Sequence, residues 1–311
     1  MFVGVWSQPR GSFAKWRDRG INVLIASEPE LNAQGVPTVS QADWRAAARA
    51  LNLPYYDRPS DDIEADGRDP YLAGFLMDDE PDRRIILPAV NALKTEKDAA
   101  KRAALQKTID DYVSAYRAIS ERCRATGKAV LGNFSGPDIT GGFPWYAGQG
   151  QKPLLPFVTE MGADWYPINS DPARYPATLI GQQLDLLVKW NREVGEMAKP
   201  LWCFLECGYM HKGSGRAPTP AEVDAEVEQA VARNVKGIVW FPQAFGGFKY
   251  DSLDAAQVQK VTEVSKRLAT AWAAPPALPT PRAIARVVVQ FDDGTSTTVD
   301  ASPATPGTRL K

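Results

Sequence analysis

Short apolar runs of strand length alternate along the chain with longer stretches in which apolar residues recur at helical spacing, and this continues through about residue 272. Runs of the first kind fit buried strands and stretches of the second fit amphipathic helices. The pattern predicts strands at 2–6, 21–26, 53–56, 72–77, 128–134, 163–168, 200–206 and 237–241. Helices are expected at 13–19, ended by Gly20, and at 41–51, capped by Ser40. Within 88–126 the apolar positions Ile109, Tyr112, Val113, Tyr116 and Ile119 fall on one helical face. Further helices are expected at 154–161, 173–197, 221–233 (capped by Thr219) and 254–272. The segment 58–69 is short and rich in Asp and Gly, and reads as a polar loop.

Eight strands separated mostly by helices predict a (β/α)8 TIM barrel over 1–272. The competing doubly wound sheet would place a Gly-rich phosphate turn after the first strand. Trp6-Ser7-Gln8-Pro9-Arg10-Gly11 is not one. Composition shifts at 273–284, a Pro-rich stretch expected to be an extended linker. In 285–311, two β-prone runs flank Asp292-Asp293-Gly294, a hairpin signal. So short a C-terminal β-hairpin extension cannot hold a core alone. It is expected to dock on the barrel, contact another chain or join a larger assembly.

Composition narrows the classes. The 311 residues are 44% hydrophobic and 23% charged with net charge −1, which fits one large domain with a small appendage. No extended basic face argues for nucleic acid, and no run of eighteen apolar residues argues for a membrane span. Met1-Phe2-Val3-Gly4-Val5-Trp6 lacks a basic n-region and reads as a strand rather than a signal peptide. That leaves a cytoplasmic protein or a part of a virion or surface assembly as the expectation. Cys123, Cys203 and Cys207 form neither a disulfide framework nor a zinc motif, and read as buried thiols. The only histidine is His211. A multi-histidine metal site cannot be built, and neither metal nor cofactor is expected. In its Gly-rich loop, His211 reads as lining the mouth of the barrel.

Candidate chemistry gathers at two strand ends. Leu72-Ala73-Gly74-Phe75-Leu76-Met77 breaks into Asp78-Asp79-Glu80-Pro81, and Leu201-Trp202-Cys203-Phe204-Leu205 ends in Glu206. With side chains alternating, Glu206 shares a face with Phe204 and Trp202, and Glu80 with Asp78 and Leu76. In a parallel barrel both glutamates then face the C-terminal mouth, where active sites of such barrels lie. Two opposed carboxyls are the minimum for glycosidic cleavage, one giving a proton to the leaving oxygen and one ionised. Like charge from Asp78 and Asp79 would keep Glu80 protonated, and hydrogen bonds from Tyr166 or Asn133 would hold Glu206 ionised. The aromatic residues Trp6, Trp145, Trp165 and Trp240 suit the C–H faces of sugar rings. Asp57 and Glu28, also at strand ends, read as subsite or structural residues.

At these residues the sequence resembles the large clan of retaining glycoside hydrolases built on (β/α)8 barrels. The resemblance spans about 1–272 and rests on single residues in topological positions. It implies that Glu80, ending strand four, is the acid/base and that Glu206, ending strand seven, is the nucleophile, about 5–5.5 Å apart. It places Tyr166 near strand six and Trp240 at the end of strand eight, beside an oligo- or polysaccharide substrate. The clan usually has asparagine before the acid/base, where it contacts the sugar 2-hydroxyl; this chain has Asp79. Rival barrel chemistries fit less well. An enolase-type magnesium site would draw on Asp57 and Glu80 but finds only Asn133 on strand five. Lys128 and Lys236 lie at the wrong strand ends for a Schiff base. Gly213-Ser214-Gly215 and Gly246-Gly247 are glycine loops with no further sign of phosphate binding. A non-catalytic barrel, binding glycans or serving as a structural part of a phage tail or cell-surface assembly, is the alternative from another class.

Overall fold

The computed structural model describes residues 1–27, 38–135, 148–210, 215–245 and 248–270, with the backbone of 286–290 and 296–300. Eight parallel strands follow one another in chain order: β1 (Phe2–Trp6), β2 (Val23–Ile25), β3 (Tyr55–Asp57), β4 (Leu72–Asp79), β5 (Ala129–Ser135), β6 (Glu160–Asp164), β7 (Leu201–Glu206) and β8 (Gly237–Phe241). β8 pairs back onto β1, with Phe2 opposite Gly237 and Val5 opposite Trp240, and closes the barrel. The expected (β/α)8 fold is the observed one.

Both faces of each strand are apolar, as parallel strands covered on two sides require. Ile25, Tyr56, Leu76, Leu131, Trp202, Phe204 and Val239 fill the interior. Val5, Leu24, Tyr55, Phe75, Val130, Leu205 and Trp240 pack outward against the helices. The N-terminal end is closed by Glu160, which accepts from the Trp202 indole N–H at 2.6 Å and from Tyr56, and pairs with Lys236. Open space therefore lies at the other end.

The outer layer comprises α1 (Phe13–Asp18), α2 (Gln41–Ala50), α3 (Ile63–Arg68), α4 (Leu87–Thr95), α5 (Ala99–Ala125), α6 (Pro167–Ser170), α7 (Leu179–Glu193), α8 (Pro220–Ala232) and α9 (Ala255–Leu268). Ser40 with Asp43, Thr219 with Glu222 and Asp254 with Gln257 form capping boxes, each satisfying otherwise orphaned backbone donors. The segment 58–69 does contain a short helix, because the Asp62 side chain accepts from the Ala65 N–H and starts α3. The helical stretch after β4 is two helices, broken before α5 where Asp98 caps the second. The stretch 154–161 is a single 3-10 turn at Leu155–Phe157, and the chain is extended again at Val158. β6 consequently starts at Glu160 and ends at Asp164, earlier than the expected 163–168, and Pro167 opens α6. All three cysteines are free and buried. Among the described residues no helix is long and apolar enough to cross a membrane.

The chain divides into two units, Met1–Ala274 and Pro275–Lys311. In the second, β9 (Arg286–Gln290) and β10 (Ser296–Asp300) pair antiparallel, Val287 opposite Val299. The expected turn at Asp292-Asp293-Gly294 and the linker 273–284 lie outside the described residues.

Candidate active site

The end of β4 is shaped by a bulge. Leu76 lies opposite Leu131 and Asp79 opposite Asn133, so β4 spends three steps where β5 spends two. One extra residue reverses the alternation beyond it. Asp78, expected on the inner face with Leu76, instead accepts from the Tyr112 hydroxyl of α5 at 2.8 Å. Asp79 and Glu80 turn to the mouth. Glu80 has φ 46°, a left-handed conformation that is costly for a side chain of this kind, and its N–H donates to the Asn133 carbonyl at 3.1 Å.

A cavity of about 510 Å³ opens at this end of the barrel. Its carboxyls are Asp79, Glu80 and Asp164, the last contributed by the end of β6. Asn133 binds two of them, its amide Nδ2 donating to Asp79 at 2.9 Å and to Asp164 at 3.1 Å. The Glu80 carboxyl stands beside Asp164 in the same cavity. Burial, with Glu80 and Asp79 alongside, pushes the Asp164 carboxyl well above the usual range. Among the described residues its Oδ1 meets no donor. Burial and Glu80 also push Asp79 up, against the pull of Asn133 and of Arg84 at 3.0 Å. Arg83 reaches Glu80 at 3.3 Å. Just beyond, Asp82 is fully buried and accepts from the Ser135 N–H and from Gln151, tying this loop to the end of β5. Burial pushes its carboxyl up to about 7.

Aromatic rings supply the apolar walls: Trp6, Tyr166, Phe241, Phe245 and Phe248 line the cavity. Tyr166 leans on Phe241 at 4.9 Å between centroids, and its buried hydroxyl has no hydrogen-bond partner among the described residues. Phe245 and Phe248 are about half exposed, at 50% and 51%.

The end of β7 is arranged otherwise. Glu206 is fully buried and is not among the residues that line the cavity. Oε1 accepts from the Ile168 N–H at 2.6 Å, and Oε2 from the Asn169 N–H at 2.7 Å and the Asn169 Nδ2 at 2.6 Å. Behind it stands Glu226 of α8, also fully buried and close enough for the two carboxyls to feel each other's charge. Burial raises both carboxyls, most of all Glu226, while the donors around Glu206 act against the rise.

The other expected substrate contacts divide similarly. Trp6, Asp79 and Tyr166 line the cavity. Asn133 is fully buried beneath it and holds two of its acids, a positioning role rather than a contact. Asp57 is corrected to a structural residue. It is fully buried against Arg45 at 2.6 Å and also accepts from Ser27, Gln41 and Arg58. Trp240 is corrected too: the pleat of β8 turns it outward, where its indole N–H donates to Ser265 of α9 at 2.9 Å, and Phe241 takes the inner place. Trp165 packs on Tyr175 at 5.2 Å. Trp145, His211 and Glu28 lie outside the described residues. Asp164 was missed because the sequence placed β6 too late. Ala163-Asp164-Trp165-Tyr166-Pro167, an acid just ahead of aromatics and a helix-opening proline, was the available signal. Among the described residues no set of three His, Cys, Asp or Glu side chains is arranged to hold a metal ion.

Fold and cavity together define a (β/α)8 barrel with an acid-lined, aromatic-walled mouth. Similar solved structures include glycoside hydrolases. A glucosidase from Croceicoccus marinus superposes with a TM-score of 0.56 at 11% identity, over 96% of this chain and 80% of that one. The apo β-glucosidase 1317 gives 0.53 at 12%, over 86% and 88%. A chitinase from Chromobacterium violaceum gives 0.51 at 11%, over 87% and 99%. At such identities the likeness establishes the fold. No protein-family model and no curated protein matches the sequence.

Proposed function

We propose that this protein hydrolyses a glycosidic bond at the mouth of the barrel, with Glu80 and Asp164 as the working pair. The observation that carries the reading is that both carboxyls line one cavity, brought there by the ends of β4 and β6 and close enough for each to feel the other's charge. A protonated acid beside a second carboxyl is what cleavage needs. In the free protein the shared proton rests on Asp164, the more deeply buried member. Glu80 is nearer the opening and passes a proton to the leaving oxygen, drawing on Asp164. The Asp164 carboxylate then faces the sugar carbon as positive charge develops there, and water adds to that carbon while returning a proton to the pair. The aromatic walls give the sugar ring flat apolar faces, and Tyr166 offers an unengaged hydroxyl.

The test is hydrolysis of a panel of aryl glycosides and polysaccharides by wild type, Glu80→Gln and Asp164→Asn. Turnover by wild type that falls in both variants supports the reading, and the anomer first formed, read by NMR, reports retention or inversion. Glycan binding without turnover would reassign the cavity to recognition.

A further inference from the structure

The buried pair at the end of β7 has no place in that chemistry, yet it touches both loops that carry cavity residues. We propose that Glu206, backed by Glu226, forms a latch that positions Tyr166 and Met210 in the cavity wall, making Glu206 a positioning residue rather than a nucleophile. The substrate contacts invoked rest on the hydrolase reading above; the latch itself does not.

Each link is a contact. Through Ile168 and Asn169, Glu206 grips the turn that begins at Tyr166. Asn169 extends the grip to the next loop: its Nδ2 donates to the Gly208 carbonyl at 2.8 Å, and its Oδ1 accepts from the Met210 N–H at 2.7 Å. The Met210 carbonyl in turn accepts from the Phe245 N–H at 2.9 Å. Tyr166, Met210 and Phe245 all line the cavity. Gly215 completes the junction, since a Cβ there would fall 1.9 Å from the Asn169 carbonyl oxygen. The loop after β7 can cross Asn169 only with glycine at that point.

The protonation of the pair follows from its surroundings. Two buried carboxyls in contact do not both ionise. Glu206 collects three N–H donors, which suits the carboxylate form. Among the described residues neither oxygen of Glu226 meets an N–H donor, which suits the neutral acid beside Glu206. Glu226→Gln keeps a neutral polar group beside Glu206; Glu226→Leu does not. A glutamine at 206 would turn an NH2 toward donors.

The test is hydrogen–deuterium exchange on wild type, Glu206→Gln, Glu226→Gln and Glu226→Leu. Glu206→Gln and Glu226→Leu should accelerate exchange at least tenfold in 166–170 and 208–210, leaving 129–135 of β5 as in wild type, while Glu226→Gln keeps the wild-type pattern. Wild-type protection in Glu206→Gln, or acceleration extending equally to 129–135, would overturn the latch. A second arm uses an aryl glycoside that the wild type cleaves. Sodium azide should not restore turnover to Glu206→Ala; recovery would show Glu206 acting on the sugar carbon and overturn the positioning role. If wild type cleaves no glycoside, the hydrolase reading fails and the exchange pattern still decides the latch.

Discussion

At the end of β4 and β6, three carboxyls face one another around open space. At the end of β7, one carboxylate is enclosed by donors. Asp79, Glu80 and Asp164 line one cavity together, and Glu80 also holds a left-handed backbone. Glu206 has both oxygens engaged by N–H donors and is not among the residues that line the cavity. Like charges in a cleft weaken a fold but leave protons ready to move, whereas a satisfied buried carboxylate organises its surroundings. On the reading proposed above, the two ends differ in what each acid does: one set serves chemistry and the other positioning.

That contrast can be broken most readily through activity. Glu80→Gln and Asp164→Asn should each lower kcat/KM by about 10²–10⁴-fold, the usual range for losing a positioned acid or base. Turnover that survives both would remove the chemical role from this end of the barrel.

The next effect is on stability with pH. Asp82 has a folded-state pKa of about 7, raised by burial above its unfolded value. The folded chain thus binds more protons than the unfolded chain between these values, and stability falls as pH rises. The contribution is fully present below about pH 4 and is lost by about pH 7, on the order of 4 kcal/mol across that window. Asp82→Asn should flatten this part of the curve, measured as urea-unfolding midpoints from pH 4 to 8. A wild-type curve that rises across the window by as much as that of the variant would contradict the assignment.

Smaller effects separate neighbours on β8. Trp240→Phe loses the bond to Ser265 and some packing, so about 1–2 kcal/mol of stability should go with KM unchanged. Phe241→Ala should raise KM for any glycoside turned over, since Phe241 lines the cavity. The reverse pattern would mean that Trp240 faces the sugar.

Much of this architecture is legible in periodicity, because parallel strands buried on both faces and capped helices are local patterns. Ser40 and Thr219 announce their helices without help from the rest of the fold. Glu80 reads as a mouth residue from the run of acids and the proline behind it. What escapes such reading is set by pairing between strands. The bulge in β4 depends on its register with β5, and it alone sends Asp78 outward and Asp79 inward. Glu206 reads like Glu80 along the chain, and its difference arises from Asn169 and Glu226, residues distant in sequence. Trp240 was assigned to the right strand, but its face follows from the alternation around Val239 and Phe241, which pack into the barrel interior.

The central claim, that the β4 and β6 acids are arranged for chemistry and Glu206 for structure, is tested most directly by urea unfolding of Glu80→Gln and Glu206→Gln at pH 7. The account predicts that Glu80→Gln is as stable as wild type or up to about 1 kcal/mol more so, because like charge is relieved. Glu206→Gln should lose about 2–3 kcal/mol, because buried N–H donors are left facing an amide N–H. A Glu206→Gln protein as stable as wild type, beside a Glu80→Gln protein that is clearly destabilised, would contradict it.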